Sequence, residues 1–188
     1  VLGPAHPETL DAQANYGRYL QQRGDFAAAQ KLFESVLETD RRIRGAQHMY
    51  VGHDHVNLGL VLLDQKQARA AQSHFQAALD IYAVTLPEEH PYVASALSDL
   101  GQSLTVAGQA AEAERHLRRA VEIANHTLPA TSVQLATARS ELALALLAQN
   151  RREEARALLD LSYPVLMRHA NASARVLQRA QEAHRTLQ

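Results

Sequence analysis

The sequence predicts an all-α fold built from stacked pairs of antiparallel helices. Three observations predict it: a 42-residue interval that recurs along the chain, columns of fixed apolar and small residues within each interval, and a polar break in the middle of each block. His6, His48 and His90 open successive blocks, and Ser132 stands where the fourth His would be. The blocks run 6–47, 48–89, 90–131 and 132–173.

The first helix of each block, helix A, is marked by its eleventh and fifteenth residues. The eleventh is large (Tyr16, Leu58, Leu100, Leu142) and the fifteenth is always Leu (Leu20, Leu62, Leu104, Leu146). Residues four apart share one helix face. Between them lies a small twelfth residue: Gly17, Gly59, Gly101 or Ala143. The break follows, as Arg23-Gly24-Asp25, Ala107-Gly108-Gln109 and Gln149-Asn150-Arg151. Gly or Asn ending one helix and a polar residue opening the next suit a tight helix–helix turn.

Helix B then carries Ala29, Ala71, Ala113 and Ala155, followed four residues later by Phe33, Phe75, Leu117 and Leu159. The small residues let A and B approach closely, and larger ones would overpack the contact. Pro87 and Pro129 stop two of the B helices, and His-Pro opens the next helix A with proline in the first turn, where its missing N–H costs nothing. Pro164 lies inside the fourth helix B and should kink it. Residues 174–188 form a last, capping helix, with Val176, Leu177, Ala180 and Leu187 on one side and Arg175, Gln178, Arg179, Glu182 and Arg185 on the other. Such a polar outer face is how a stack ends in water. Residues 1–5 fit the tail of a preceding block, so a further repeat is expected upstream.

Composition narrows the function. The formal net charge is −1 and the pI about 6.9, so no excess of Lys and Arg calls for nucleic acid. Without Cys there is no disulfide, thiolate metal site or cysteine nucleophile. No run approaches the ~18 apolar residues of a membrane span, and the start has no signal-peptide layout. A cytoplasmic location is therefore favoured, without membrane insertion.

No catalytic constellation emerges. There is no Gly-x-Ser-x-Gly turn and no phosphate-binding glycine loop. His53 and His55, two apart, point to different helix faces, and no His pair has metal-ligand spacing with a third ligand near. Glu112, Glu114, Glu153 and Glu154 fall at the starts of B helices, where they oppose the helix dipole. Arg41, Arg42 and Arg44, and Arg115, Arg118 and Arg119, read as solvated surface. Asn125-His126-Thr127 and Asn171-Ala172-Ser173 match a glycosylation sequon short enough to arise by chance. The expectation is a non-enzyme without metal or cofactor.

The columns large-Gly-x-x-Leu, Ala, Phe/Leu and Ala resemble the tetratricopeptide repeat, and the 42-residue period with its His-Pro start resembles the longer subtype of kinesin light chains and many bacterial multidomain proteins. The resemblance implies a right-handed superhelical α-solenoid of four such units plus the capping helix. It also implies a protein or peptide partner held in a concave groove of A helices. Transferring the family's groove columns gives Asp11, Ala14 and Arg18; His53, Val56 and Leu60; Ser95, Ser98 and Gln102; and Thr137, Ser140 and Leu144. With Arg18 the sole basic residue and no Asn there, a clamp for a C-terminal carboxylate is not expected. Polar residues would meet a peptide backbone, and Val56, Leu60 and Leu144 would take apolar side chains. A monomer inside a larger signalling protein, of bacterial type by its Ala- and Arg-rich composition, is favoured. The alternative is a scaffold that self-associates through its repeat ends.

Overall fold

A computed structural model describes residue 3 and residues 6–169 and 174–187. Among them are nine helices and no strand: α1 (Pro7–Gln22), α2 (Phe26–Arg44), α3 (Met49–Asp64), α4 (Ala68–Thr85), α5 (Pro91–Val106), α6 (Ala110–Thr127), α7 (Val133–Leu147), α8 (Arg152–Arg168) and α9 (Ala174–Leu187). The A helices start at 7, 49, 91 and 133 and the B helices at 26, 68, 110 and 152, so both series keep the interval of 42. The chain divides into two compact units, Val1–Pro87 and Glu88–Gln188. In unit 1, α1 packs on α2, α3 on α4, and α2 on α3; in unit 2 the same order runs α5–α6–α7–α8–α9.

The start of helix A has a specific cause. His6, His48 and His90 are N-caps, and their Nδ1 atoms accept hydrogen bonds from the backbone N–H of Glu8, Tyr50 and Tyr92 at 3.1–3.3 Å. Each satisfies one of the donors that a helix start leaves open. Ser132, in the same place, makes no side-chain cap bond.

The turn from A to B is also repeated. Gly24, Lys66, Gly108 and Asn150 all have positive φ, between 62° and 83°. The next residue's N–H reaches back to the carbonyl of Leu20, Leu62, Leu104 or Leu146 at 2.8–3.0 Å. The invariant Leu thus supplies both a core side chain and the carbonyl that closes the left-handed C-cap. Lys66 departs from the expected Gly or Asn: the cap geometry is imposed there on a β-carbon-bearing residue.

Helix B is seated by the small column. Ala29, Ala71, Ala113 and Ala155 are fully buried, as are Phe33, Phe75, Leu117 and Leu159. A Cβ added to Gly59 would lie 2.4 Å from Phe75 Cε1, and one added to Gly17 2.6 Å from Phe33 Cε1. Helix α8 continues past Pro164 to Arg168. On α9, Val176, Ala180 and Leu187 are buried as expected, but Arg179 is not a solvated outer residue: it turns inward to Glu141 at 2.9 Å. The expectations for residues 1–5, Gly3 aside, and for Asn171-Ala172-Ser173 fall outside the described residues.

Candidate functional site

In unit 1 the predicted stripe lies on α1 and α3. Asp11 and Arg18 are exposed and Ala14 half-buried; Arg18 donates to the Asn15 side-chain oxygen. On α3, His53, Val56 and Leu60 are half-buried. Gly52 makes the place for this part: a Cβ there would lie 2.5 Å from Tyr82 Cε1, so glycine lets the buried Tyr82 ring seat against α3. The His53 imidazole meets that ring edge-on, with centroids 5.7 Å apart, and lies 5.9 Å from Tyr50. The stripe of unit 1 is therefore charged on α1 and apolar to aromatic on α3.

Unit 2 treats the same columns differently. Ser95, Thr137 and Leu144 are half-buried, and Ser95 Oγ accepts a hydrogen bond from Gln134 at 2.6 Å. Ser98, Gln102 and Ser140, expected to face a solvated groove, are buried. Ser140 Oγ pairs with Ser162 Oγ across α7 and α8 at 2.8 Å. Ser98 has Ala120 at the column of Ser162, and its Oγ is buried without a partner among the described residues. Gln102 donates to Glu141 Oε1 at 2.6 Å, and Glu141 Oε2 accepts from Arg179. Burial pushes the Glu141 carboxyl up, opposed by Arg179, the Gln102 bond and Arg175. Asp99 is pushed up to about 7 by burial, against the pull of Arg175. In unit 2 these polar columns hold helices together and leave Ser95, Thr137 and Leu144 within reach of solvent.

Sequence reasoning passed over two further clusters. Asp54 on α3 is buried beside Asp40 on α2, which is itself ion-paired with Arg44 at 2.5 Å. Burial first, and then the Asp40 charge, raise Asp54 to about 8. His55 on α3 and His74 on α4 place their Nδ1 atoms 3.0 Å apart. Burial holds both below the usual imidazole range, His55 at about 4, so the pair is neutral near pH ~7. The partners in each cluster sit on different helices, and no local spacing signals them. No group of three or more potential metal ligands occurs among the described residues. No described helix is long and apolar enough to cross a membrane.

Comparison with known proteins agrees with this architecture. Two tetratricopeptide repeat profiles match, one over residues 9–50 and the other over 47–126 and 92–168. Crystal structures of kinesin light chain nearly identical TPR-like repeats from Podosopora anserina are similar. One, a variant, is 22% identical with a TM-score of 0.77, over 100% of this chain and 87% of that one. The other is 25% identical with a TM-score of 0.68, over 91% and 81%. BtubC (BKLC) from P. vanneervenii is 16% identical with a TM-score of 0.73, over 96% and 74%. No curated protein matches the sequence. Tetratricopeptide repeats are in general protein–protein interaction modules, and this fold is typically non-enzymatic. The repeated cap, the interlocked small and bulky columns, and profiles that span residues 9–168 lead to one assignment: the chain belongs to the tetratricopeptide repeat family.

Proposed function

We propose that the chain is a docking module that binds a peptide or protein segment along the A-helix faces of its repeats, within a larger protein such as a signalling protein. The observation that carries this reading is the face of α3, where His53, Val56 and Leu60 form a half-buried apolar and aromatic step beside the exposed Asp11 and Arg18 of α1. In unit 1 the site consists of Asp11, Arg18, His53, Val56 and Leu60; in unit 2 the corresponding face consists of Ser95, Thr137 and Leu144. Gln102 and Ser140 act behind these faces, by bridging the helices that present them, and Ser98 is buried there as well.

The test is capture of a partner from the native cell extract by the wild-type protein, repeated with Val56→Asp/Leu60→Asp and with Val84→Asp on an exposed part of α4. The α3 variant loses the partner while keeping its helical circular dichroism, and the α4 variant keeps it. Equal capture by all three proteins refutes the groove reading.

A second reading has its own observation. Tyr16 is 56% exposed, whereas Leu58, Leu100 and Leu142 in its column are 2–4% exposed. Tyr19, also exposed, stacks on Tyr16 at 6.1 Å. An exposed aromatic pair of this kind suits self-association. Light scattering across concentration should then show a dimer that Tyr16→Ser/Tyr19→Ser abolishes; a monomer throughout discards this reading.

A further inference from the structure

Each unit has a cleft lined mainly by its B helices, and none of the stripe residues lines it. The cleft of unit 1, about 530 Å³, is walled by α2 and by His74 of α4 and floored by Leu37 and Leu58. The cleft of unit 2, about 610 Å³, lies at the same repeat positions 84 residues on: Leu37 becomes Val121, Leu58 becomes Leu142, and His74 becomes Leu158.

The rims differ in their charges. In unit 2 they are satisfied internally. Arg118 pairs with Glu114 and Glu154, Glu122 with Arg119 at 2.9 Å, His126 with Glu89, and Asn125 accepts from Arg139. In unit 1 the corresponding rim is Glu34, Glu38, Arg41 and Arg42. Glu34 accepts only a neutral hydrogen bond from Gln30, and Glu38, Arg41 and Arg42 form no ion pair or side-chain hydrogen bond among the described residues. These four positions fall at i, i+4, i+7 and i+8, on one face of α2. The outermost charges, Glu34 and Arg42, are separated by about 12 Å along the helix, at 1.5 Å per residue.

We propose that the unit 1 cleft binds an extended peptide of the pattern basic-x-aliphatic-x-acidic. In an extended chain alternate residues share a face, and residues four apart are separated by about 13 Å, which matches the charge spacing along α2. The basic residue lies against Glu34, the aliphatic side chain enters over Leu37 and Leu58, and the acidic residue meets Arg42, with Arg41 beside it. Neutral imidazoles at His55 and His74 leave the wall beside the apolar pocket uncharged. The unit 2 cleft does not share this specificity, because a ligand would have to break existing ion pairs there.

The probe is the blocked peptide Arg-Ser-Leu-Thr-Asp, titrated to millimolar concentration into isotope-labelled full chain and followed by amide chemical shifts. Saturable shifts centred on α2, on α4 around His74 and on α3 around Leu58 are expected. Arg41→Glu/Arg42→Glu should weaken binding by about tenfold or more, and the peptide ending in Lys instead of Asp should recover it on that variant. Should charge reversal impair folding, Arg41→Gln/Arg42→Gln gives the same loss without the reversal. Asn125→Asp/His126→Asp, in the unit 2 cleft, should leave the affinity unchanged. Absence of saturable shifts, shifts centred on His53, Val56 and Leu60 instead, or a loss that the Lys peptide does not recover would each overturn the proposal. None of these outcomes touches the α3 groove, whose test is separate.

Discussion

Unit 1 and unit 2 keep one repeat frame and fill it with different chemistry. In unit 1 glycine faces an aromatic ring three times, Gly17 against Phe33, Gly52 against Tyr82 and Gly59 against Phe75; in unit 2 Gly101 faces Leu117, and the pair after it is Ala143 with Leu159. Their buried carboxylates diverge in the same way. Asp54 in unit 1 faces a second acid, Asp40, whereas Glu141 in unit 2 faces a guanidinium and an amide. The frame thus constrains volume at each column and leaves charge to be settled by whichever helices happen to meet.

The largest effect expected from this contrast is in unit 2. Arg179→Met would leave Glu141 buried with Gln102 as its main remaining hydrogen-bond partner, at a cost of about 2–4 kcal/mol. Arg179→Met/Glu141→Met should recover most of that loss, since an apolar pair of similar volume needs no ionic partner. Denaturant unfolding of the two variants measures this. An unchanged midpoint for the single variant would mean that Glu141 is held protonated and that its arginine is incidental.

The packing contrast comes next. Gly59→Ala forces a methyl to within 2.4 Å of a buried Phe75 ring carbon, and should destabilise by about 2–3 kcal/mol. Gly101→Ala meets Leu117 Cγ at 2.4 Å, but Ala143 and Leu159 already coexist one repeat later in the same unit. A Leu at that column can therefore shift to admit a methyl, and the cost should be closer to 1 kcal/mol, by roughly the lower end of the overpacking range. Equal thermal shifts in the two variants would erase the distinction between ring and branched-chain interlocks.

Much of this was legible in the sequence. Columns that repeat four times, such as Leu20 with Leu62 or Ala29 with Ala71, report packing that every repeat needs, so periodicity exposes them. The buried charges occur once each. Asp40 and Asp54 meet across α2 and α3, and Arg179 arrives at Glu141 from a helix whose own pattern placed it on the outside. The candidate groove suffered for the same reason. Column transfer treats Ser95 and Ser98 alike as solvated, whereas the close approach of α5 to α6 and α7 leaves Ser98 buried and Ser95 half-exposed.

Asp54 allows a test of opposite sign to Arg179. Its carboxyl is raised from 3.8 to about 8, so between those values the folded chain holds a proton that the unfolded chain releases. The associated stability is present below about pH 4 and is lost as pH rises toward about 8. Asp54→Asn keeps the shape and removes the ionisation. Relative to wild type its urea midpoint should be clearly higher at pH ~8.5 and little changed at pH ~4.5. A gain that does not depend on pH would trace the effect to packing instead of charge.

The smallest effect separates the units at the turn. Gly24 and Gly108 occupy the left-handed C-cap without a β-carbon, but the second turn of unit 1 holds Lys66 at φ 63° and that of unit 2 holds Asn150 at φ 62°. Lysine has no side-chain means of easing that conformation, while asparagine adopts it more readily. Glycine would relieve the strain and lose some of the gain to its greater freedom in the unfolded chain. Lys66→Gly should therefore stabilise by about 0.5–1 kcal/mol and Asn150→Gly by only about a few tenths. Because the N–H of Gln67 and of Arg151 closes the cap onto Leu62 and Leu146 in the same way, the hydrogen bonds do not distinguish the two sites. A larger gain at Asn150 than at Lys66, measured by thermal unfolding, would show that the backbone strain is not where the side chains place it.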